Sequence, residues 1–302
     1  MFSSLVNYIR EKVFSFLRLR ERFDESAIRQ GTLLSLAHEG CRFDRLEQYA
    51  FKVFSQWGED GILQFLIREV APVNRTFIEF GVEDFTESNC RFLMMKDHWK
   101  GFVVDGSKKN IHRLRNSYFF WRYDLKAVEA FITRETINEL LGSSEMDRDL
   151  GILSVDIDGN DFHVLEAIDA FRPRILVCEY NPIFGHDRSL SVPYRADFQR
   201  TRAHYSNLYW GASLPAFQFW AGRNGYRFVG TNDAGNNAFF VRSDVMTDAL
   251  DHLSVNARAA ASHFRESRDV SGRMTYLSLN AARAAISGMS VINVENGSIE
   301  KL

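Results

Sequence analysis

The segment of residues 153–161, with the sequence LSVDIDGND, constrains the fold of this chain more than any other feature. Alternate side chains of a strand share a face, so Asp156 and Asp158 would point to one side and Val155 and Ile157 to the other. A central strand of a parallel sheet is normally apolar on both faces, and carboxylates there are costly to desolvate without a partner. Ligands bind at the carboxyl ends of strands in open α/β sheets. The segment therefore predicts a site for a cation or a proton at a sheet edge.

Composition and charge exclude several classes of protein. The 302 residues are 45% hydrophobic and 25% charged, which is typical of a globular chain with one large domain and appendages, or with two small domains. A formal net charge of -2 argues against broad nucleic-acid binding. The three cysteines lack zinc-site spacing and fit a reducing cytosol. Without an apolar run of about 20 residues or a secretory signal, we expect a cytoplasmic protein with no transmembrane helix.

Strand-like and helical segments alternate through the middle of the chain. The predicted strands cover residues 76–82, 101–106, 120–124, 151–158 and 174–179, and the predicted helices cover residues 86–98, 107–116, 126–141 and 161–171. This alternation predicts right-handed crossovers and a mainly parallel sheet. Residues 226–230 and 238–241 form two further predicted strands, and the Asn-, Asp- and Gly-containing segment between them predicts an antiparallel hairpin.

Helical extensions are predicted on both sides of a central domain of residues 49–245. Residues 1–48 contain a possible apolar stripe among basic residues, formed by Leu5, Ile9, Val13, Phe14, Phe16 and Leu17. Such a helix would contact an anionic membrane surface, or dock on its own domain or on a second subunit of a homo-oligomer. Residues 246–302 are predicted to be a helical extension with a polar tail.

Three predicted strand ends carry candidate cofactor contacts. Glu79 and Gly81 lie where the first strand turns toward a helix, and a glycine there lets a ligand approach the backbone. Asp105 ends the second strand, where an acid can accept both hydroxyls of an adenosine ribose; capping the next helix is the structural alternative. Asp124 ends the predicted third strand and is a candidate for contact with an adenine edge.

Oxygen-bearing side chains also end the fourth and fifth predicted strands. Asp156 and Asp158 follow one strand, and Glu179 and Asn181 follow the other. Hard cations such as Mg²⁺ prefer oxygen ligands, so these four residues are candidate metal ligands. His186 follows closely and is a candidate catalytic base. The structural alternative is that the acids cap a helix and pair with arginines.

Two other segments belong near the predicted site. Ser55 and Gln56 precede the helix that leads to the first strand, where Ser55 would cap that helix, or both residues would fold over a cofactor. Residues 182–215 are rich in arginine and aromatic residues. They would overhang the cleft and bind sugar rings or phosphate groups, or else form a solvated helix.

These segments together resemble the FkbM-like branch of the S-adenosylmethionine-dependent methyltransferases. The similarity spans roughly residues 50–245 and is carried by residues 55–60, 77–81, 103–106 and 154–161, followed by Glu166 and Ala167. It implies a Rossmann-like class I methyltransferase sheet of seven mostly parallel strands with an antiparallel C-terminal hairpin. It also implies that Glu79 and Gly81 lie near the methionine part of the cofactor and Asp105 on its ribose.

The resemblance implies an S-adenosylmethionine-dependent O-methyltransferase that acts on a sugar, glycan or polysaccharide precursor, with Mg²⁺ as a candidate second cofactor. Asp158, then Asp156 and Glu179, are the first candidates for a base or metal ligand. The alternative is a catalytically silent Rossmann-like module that holds a nucleotide or a partner enzyme, because Val82, Glu83 and Asp84 stand where the family usually has further glycines. The absence of a GxGxxG motif, with the predicted hairpin, argues against a nicotinamide-dependent oxidoreductase.

Overall fold

The computed structural model describes the backbone of residues 2–263 and 265–302, and the side chains of these residues except 2–11 and 13–18. The strands in these ranges are β1 Thr76–Phe80, β2 Lys100–Asp105, β3 Leu125–Glu129, β4 Ile152–Val155, β5 Ile175–Glu179, β6 Leu190–Ser191, β7 Tyr226–Thr231, β8 Asn237–Arg242, β9 Ser290–Asn293 and β10 Ile299–Lys301. The α-helices are α1 Phe2–Ala37, α2 Glu59–Val70, α3 Arg91–Asp97, α4 Lys108–Arg115, α5 Ile137–Gly142, α6 Asp161–Ala167, α7 Arg200–Ala203, α8 Leu214–Asn224, α9 Asp248–Asn256 and α10 Leu279–Ala285.

Seven strands form one mixed sheet in the order β3-β2-β1-β4-β5-β8-β7. Strands β1 to β5 run parallel to one another, whereas β8 is antiparallel to both β5 and β7. The predicted α/β class, the mainly parallel sheet and the terminal antiparallel hairpin are confirmed. The carboxyl ends of β1, β2, β4 and β5 therefore lie along one edge.

The two faces of this sheet bury different side chains, as the alternation along each strand requires. Phe77 of β1 and Val103 of β2 belong to one apolar cluster, beneath α2, α3 and α9. Ile78 and Val104 belong to a second cluster on the other face, with α5, α6 and α8. With both faces covered, β4 and β5 are buried along their whole length.

The third strand begins at Leu125, so the predicted strand of residues 120–124 is wrong. Phe120–Arg122 form a 3₁₀ helix, and β3 occupies the start of the range predicted to be helical. Leu125 and Ala127 are buried while Lys126 and Glu129 are exposed, the pattern of a half-buried edge strand. The aromatic run before it has the higher β propensity, which explains the wrong prediction.

The C-terminal extension contains strands that the sequence did not indicate. Strands β6, β9 and β10 form a separate antiparallel sheet in the order β10-β9-β6. A third apolar cluster joins residues of the 182–215 insert to the C-terminal segment, among them Leu190, Trp210, Ile286 and Val291. The C-terminal segment therefore packs against the insert, rather than forming only helices and a polar tail.

The long helix α1 is anchored in its second half. Asp24 pairs with the buried Arg91 of α3 at 2.5 Å. Within the described part of the chain, no helix combines the length and apolar character needed to cross a bilayer. The apolar stripe predicted for residues 5–17 lies outside the described side chains, so its contact with a membrane surface or a second subunit stays a prediction.

Candidate functional site

A cavity of about 460 Å³ opens at the carboxyl edge of the main sheet. Its wall includes Gly81 after β1, Asp105 at the end of β2, Asp156 and Asp158 after β4, and Glu179 at the end of β5. This volume is within the range of small-molecule sites in proteins. The cavity therefore lies where open α/β sheets bind their ligands.

Gly81 lies where the loop after β1 meets the end of β4. Its φ is +69°, in the left-handed region, and its N–H donates to the carbonyl oxygen of Val104 at 2.9 Å. A Cβ atom at this position would be 1.7 Å from the carbonyl oxygen of Asp156. Only glycine permits both the conformation and this close approach. The first-strand turn thus brings backbone, without a side chain, to the cavity wall.

Glu79 lines the cavity, but its carboxylate is held by the loop that follows. It accepts hydrogen bonds from Ser88 Oγ at 2.7 Å, Asn89 N at 2.7 Å and Cys90 N at 3.2 Å. Burial raises the pKa of Glu79 to about 6, against the lowering effect of these bonds. Glu79 therefore shapes the wall beside Gly81, and its remaining acceptor positions are open to a ligand.

Asp105 also organises backbone around the cavity. Its Oδ2 accepts from Glu83 N at 2.9 Å and its Oδ1 from Ser107 N at 2.7 Å. Ser107, rather than Asp105, caps α4, because Ser107 Oγ accepts from Asn110 N. A carboxylate has about four acceptor positions, so Asp105 can still receive ligand hydroxyls.

Asp156, Asp158 and Glu179 form an acidic cluster in which one carboxylate oxygen from each lies within 4.8 Å of the others. Glu179 is 6% exposed, and its Oε2 is buried with no hydrogen-bond partner in the described part of the chain. Burial, followed by the charges of neighbouring acids, raises the pKa of Asp156 and of Glu179 well above the ordinary carboxyl range. The cluster is suited to holding either a proton or a cation.

Arg200 of α7 partly balances the charge of this cluster. Its Nη1 donates to Asp158 Oδ1 at 2.7 Å, and its Nη2 lies 3.3 Å from Glu266 Oε2 in the C-terminal segment. The guanidinium carbon is 4.9 Å from the centre of the Trp210 ring. Asp158 itself has a φ of +57°, which is uncommon for a residue other than glycine. The insert and the C-terminal segment thus meet at the acid cluster.

A buried acid clamps the hairpin turn to the segment before α2. Glu59 Oε1 accepts from Asn232 Nδ2 at 2.7 Å and from Asn237 Nδ2 at 2.8 Å. Its Oε2 accepts from Trp57 N at 3.0 Å. This clamp places Gln56 and Asn237 in the cavity wall.

Four predicted site residues do not line the cavity. Ser55 is buried and donates to Asp60 Oδ2 at 2.8 Å, and Gly58 rather than Ser55 caps α2. Asn181 donates to the carbonyl oxygens of Leu208 and Trp210 and accepts from Ile183 N, so its amide is fully used. The remaining two, His186 and Asp124, are exposed. The other predicted residues, Gln56, Glu79, Gly81, Asp105, Asp156, Asp158 and Glu179, share one cavity.

Several cavity residues were not predicted as site residues. The sequence indicates Arg200 only as a member of the insert rich in arginine and aromatic residues. Glu266 is 66 residues away from Arg200 in sequence. Phe131 follows β3, so the wrong position of the third strand hid it. Asn160 belongs to the predicted site segment of residues 153–161, but as a helix cap rather than a site residue, and Asn237 lies in the predicted hairpin turn. No local sequence pattern distinguishes the other four residues.

Comparison with family models and with curated proteins finds no match. Solved structures resemble the chain remotely. An O-methyltransferase from Bacillus cereus in complex with SAH is 10% identical, with 71% of this chain and 89% of that one covered and a TM-score of 0.41. The DszA carbon methyltransferase is 14% identical, with 61% and 52% covered and a TM-score of 0.39. The N-terminal domain of EvdMO1 with SAH bound is 8% identical, with 62% and 80% covered and a TM-score of 0.38.

The sheet itself decides the fold class. Strand β8 lies antiparallel between β5 and β7 in an otherwise parallel sheet, which distinguishes it from the dinucleotide-binding order. The fold is the Rossmann-like fold of class I methyltransferases. Membership of the narrower FkbM-like branch stays a prediction.

Proposed function

We propose that this protein is an S-adenosylmethionine-dependent O-methyltransferase that acts on a hydroxyl group of a sugar or glycan precursor. The observation that carries the proposal is the composition of one cavity. Gly81 and Asp105, the candidate cofactor contacts, share it with the acid cluster of Asp156, Asp158 and Glu179. A cofactor end and a proton-accepting end therefore lie side by side.

This arrangement suits methyl transfer to oxygen. The acceptor oxygen attacks the methyl carbon, the carbon–sulfur bond breaks and the hydroxyl proton moves to a carboxylate. Asp158 is the first candidate base because its side chain is 56% exposed while its partner Arg200 fixes its direction. Alignment of the acceptor oxygen with the methyl carbon on the sulfonium would increase the rate of transfer further.

The acid cluster also fits a divalent cation such as Mg²⁺. Asp156, Asp158 and Glu179 offer three hard oxygen ligands, and the buried Glu179 Oε2 has no other partner. A bound cation would lower the pKa of a hydroxyl that it coordinates. Asn181 is not part of this proposed ligand set because its amide is committed to backbone groups.

Calorimetry and a transfer assay test the proposed function together. We expect S-adenosylmethionine and S-adenosylhomocysteine to bind with about one molecule per chain. We also expect methyl label from tritiated S-adenosylmethionine to appear in a sugar-containing acceptor fraction, with and without added Mg²⁺. Cofactor binding without transfer to any fraction would instead support a silent binding module. Absence of binding by either compound would contradict both functions.

A further inference from the structure

We infer that the end of the cavity beside the acid cluster recognises its substrate through the acceptor oxygens of two buried amides, so that the ring it admits is a neutral or amino-bearing polyol without a phosphate, sulfate or carboxylate group. This inference rests on the proposed methyl transfer and adds the chemical class of the acceptor. It is carried by buried oxygen atoms and by the charges of the cavity wall.

Two amide side chains of the cavity wall have buried oxygens with no hydrogen-bond partner among the described residues: Asn160 Oδ1 and Asn237 Oδ1. These residues are 4% and 5% exposed, respectively. A buried acceptor without a donor costs about 1–3 kcal/mol. A ligand that brings O–H or N–H groups to these oxygens would remove that cost.

The hydrogen bonds of the Nδ2 atoms fix the orientation of the Asn160 and Asn237 amides. Asn160 Nδ2 donates to the carbonyl oxygen of Arg195 at 2.8 Å, and Asn237 Nδ2 donates to Glu59 Oε1 at 2.8 Å. The carbonyl oxygen of Arg195 can only accept, and Glu59 Oε1 already accepts from Asn232 Nδ2 at 2.7 Å. Rotating either amide by half a turn would place its Oδ1 against the oxygen that now accepts from its Nδ2. The carbonyl oxygens of Asn160 and Asn237 are therefore the groups left without a partner.

The charge of the wall favours the same class of ligand. Among the described lining side chains, eight carry a carboxyl group and Arg200 is the one basic side chain. Even with Asp156 and Glu179 protonated, six acids would outnumber Arg200. Arg200 already pairs with Asp158 and Glu266, and its Nε donates to the carbonyl oxygen of Asn207 at 2.8 Å. An anionic group would enter a field of like charge and would offer these oxygens no donor.

Ligand-observed saturation-transfer NMR on the full chain loaded with S-adenosylhomocysteine tests this inference. The probes are matched gluco, galacto and manno sets, each with a methyl hexoside, a methyl 2-amino-2-deoxyhexoside, a methyl hexuronide and a hexose 6-phosphate. Spectra are recorded with Mg²⁺ present, the condition that most favours an anion. We expect neutral or amino members to bind at least tenfold more tightly than the uronides and phosphates of the same set.

Each outcome decides the inference. Uronides or phosphates that bind as tightly as their neutral counterparts would overturn it. Absence of binding by every sugar, with S-adenosylhomocysteine bound, would also overturn it and would leave methyl transfer to another acceptor standing. Failure of S-adenosylhomocysteine to bind would contradict the proposed function itself.

A charge-reversal variant gives a second readout. Glu266→Lys brings hydrogen-bond donors and a positive charge to the end of the cavity beside the acid cluster. We therefore expect the affinity of this variant for the uronides to rise at least tenfold. Glu139→Lys makes the same charge change at an exposed position of α5 outside the cavity wall. An equal rise in both variants would point to net charge and would contradict recognition within the cavity.

Discussion

Gly81 lies so close to Asp156 that a Cβ on Gly81 would be 1.7 Å from the Asp156 carbonyl oxygen. The first-strand turn and the acid-bearing strand end are therefore in direct backbone contact. A change at Gly81 should affect both the cofactor end and the acidic end of the cavity.

We expect Gly81→Ala to lower the free energy of unfolding by at least about 2 kcal/mol, since it combines a left-handed backbone with a backbone clash. Binding of S-adenosylhomocysteine should weaken as well. Gly142→Ala is the matched control, because Gly142 lies outside the cavity wall and none of the described atoms lies within 4 Å of its added Cβ. Denaturant unfolding and calorimetry measure both effects. Equal stability of the two variants would contradict the contact.

Asp158→Asn should retain the fold and cofactor binding while methyl transfer falls about 100-fold or more, because an amide cannot accept the hydroxyl proton. Asparagine adopts the left-handed region as readily as aspartate, so the φ of +57° is not a new strain. Asp124→Asn changes an exposed acid outside the cavity and should leave turnover unchanged. Unchanged turnover in Asp158→Asn would remove Asp158 from the mechanism.

Asp105→Asn should raise the Kd for S-adenosylhomocysteine about tenfold or more, because hydrogen bonds to a charged group contribute about 1.5–3 kcal/mol. The amide keeps the shape of the side chain, so thermal unfolding checks whether the Glu83 and Ser107 contacts survive. Asp84→Asn, a nearby change outside the cavity wall, is the control. Equal affinity in the two variants would assign Asp105 a purely structural role.

Asp60 should make the protein less stable as the pH rises. Burial, partly offset by hydrogen bonds from residues 53–55, raises the pKa of Asp60 from 3.8 to about 6. The folded state then binds more protons than the unfolded state. The contribution of Asp60 to the free energy of unfolding therefore falls between about pH 4 and pH 6 and stays low above pH 6. Two pKa units correspond to roughly 3 kcal/mol.

Urea unfolding from pH 4 to pH 8 measures this effect. Asp60→Asn keeps a carbonyl oxygen for the four bonds that Oδ2 accepts and should flatten the decline. Asp147→Asn, a change at an exposed acid, should retain the wild-type profile. Parallel profiles for wild type and Asp60→Asn would show that Asp60 does not titrate in this range.

Asp24→Asn should detach the second half of α1 from the domain. Asp24 accepts hydrogen bonds from Arg91 Nη2 and from Tyr118 Oη, each at 2.5 Å, and the Arg91 side chain is 2% exposed. Loss of the counter-charge leaves a buried guanidinium, which typically costs about 3–5 kcal/mol. Glu25→Gln changes an exposed neighbour and should cost little. Unfolding curves compare the two, and similar stability would mean that the ion pair does not anchor α1.

Local patterns predicted the central sheet well. The apolar run that becomes β4 and the Asn- and Gly-containing turn between β7 and β8 contain their own signals. Strand β3 is an edge strand with weaker β propensity than the aromatic residues before it. Local propensity therefore predicts the third strand too early in the chain. Strands β9 and β10 acquire their partners only through the tertiary fold.

Apart from Gln56, the predicted residues that line the candidate site lie at or just after strand ends. Glu179 ends β5 and faces the cavity, whereas Asn181 begins a 3₁₀ helix and caps it by accepting from Ile183 N. His186 follows Gly185, whose φ of +86° turns the chain away from the strand direction. Arg200 meets Asp158 across 42 residues of sequence, a pairing that no local pattern encodes. Sequence spacing therefore predicts the position of side chains at strand ends, but not which side chains in long loops come close to them.

The clamp of Glu59 on Asn232 and Asn237 has a consequence for the growing polypeptide. Glu59 Oε2 can accept from the nearby Trp57 N at once, but Oε1 finds its two amide partners only after the final hairpin has been translated. A nascent chain that stops short of residue 237 would keep Glu59 Oε1 hydrated and the cavity wall incomplete. This part of the wall would then form only after nearly the whole sheet has left the ribosome.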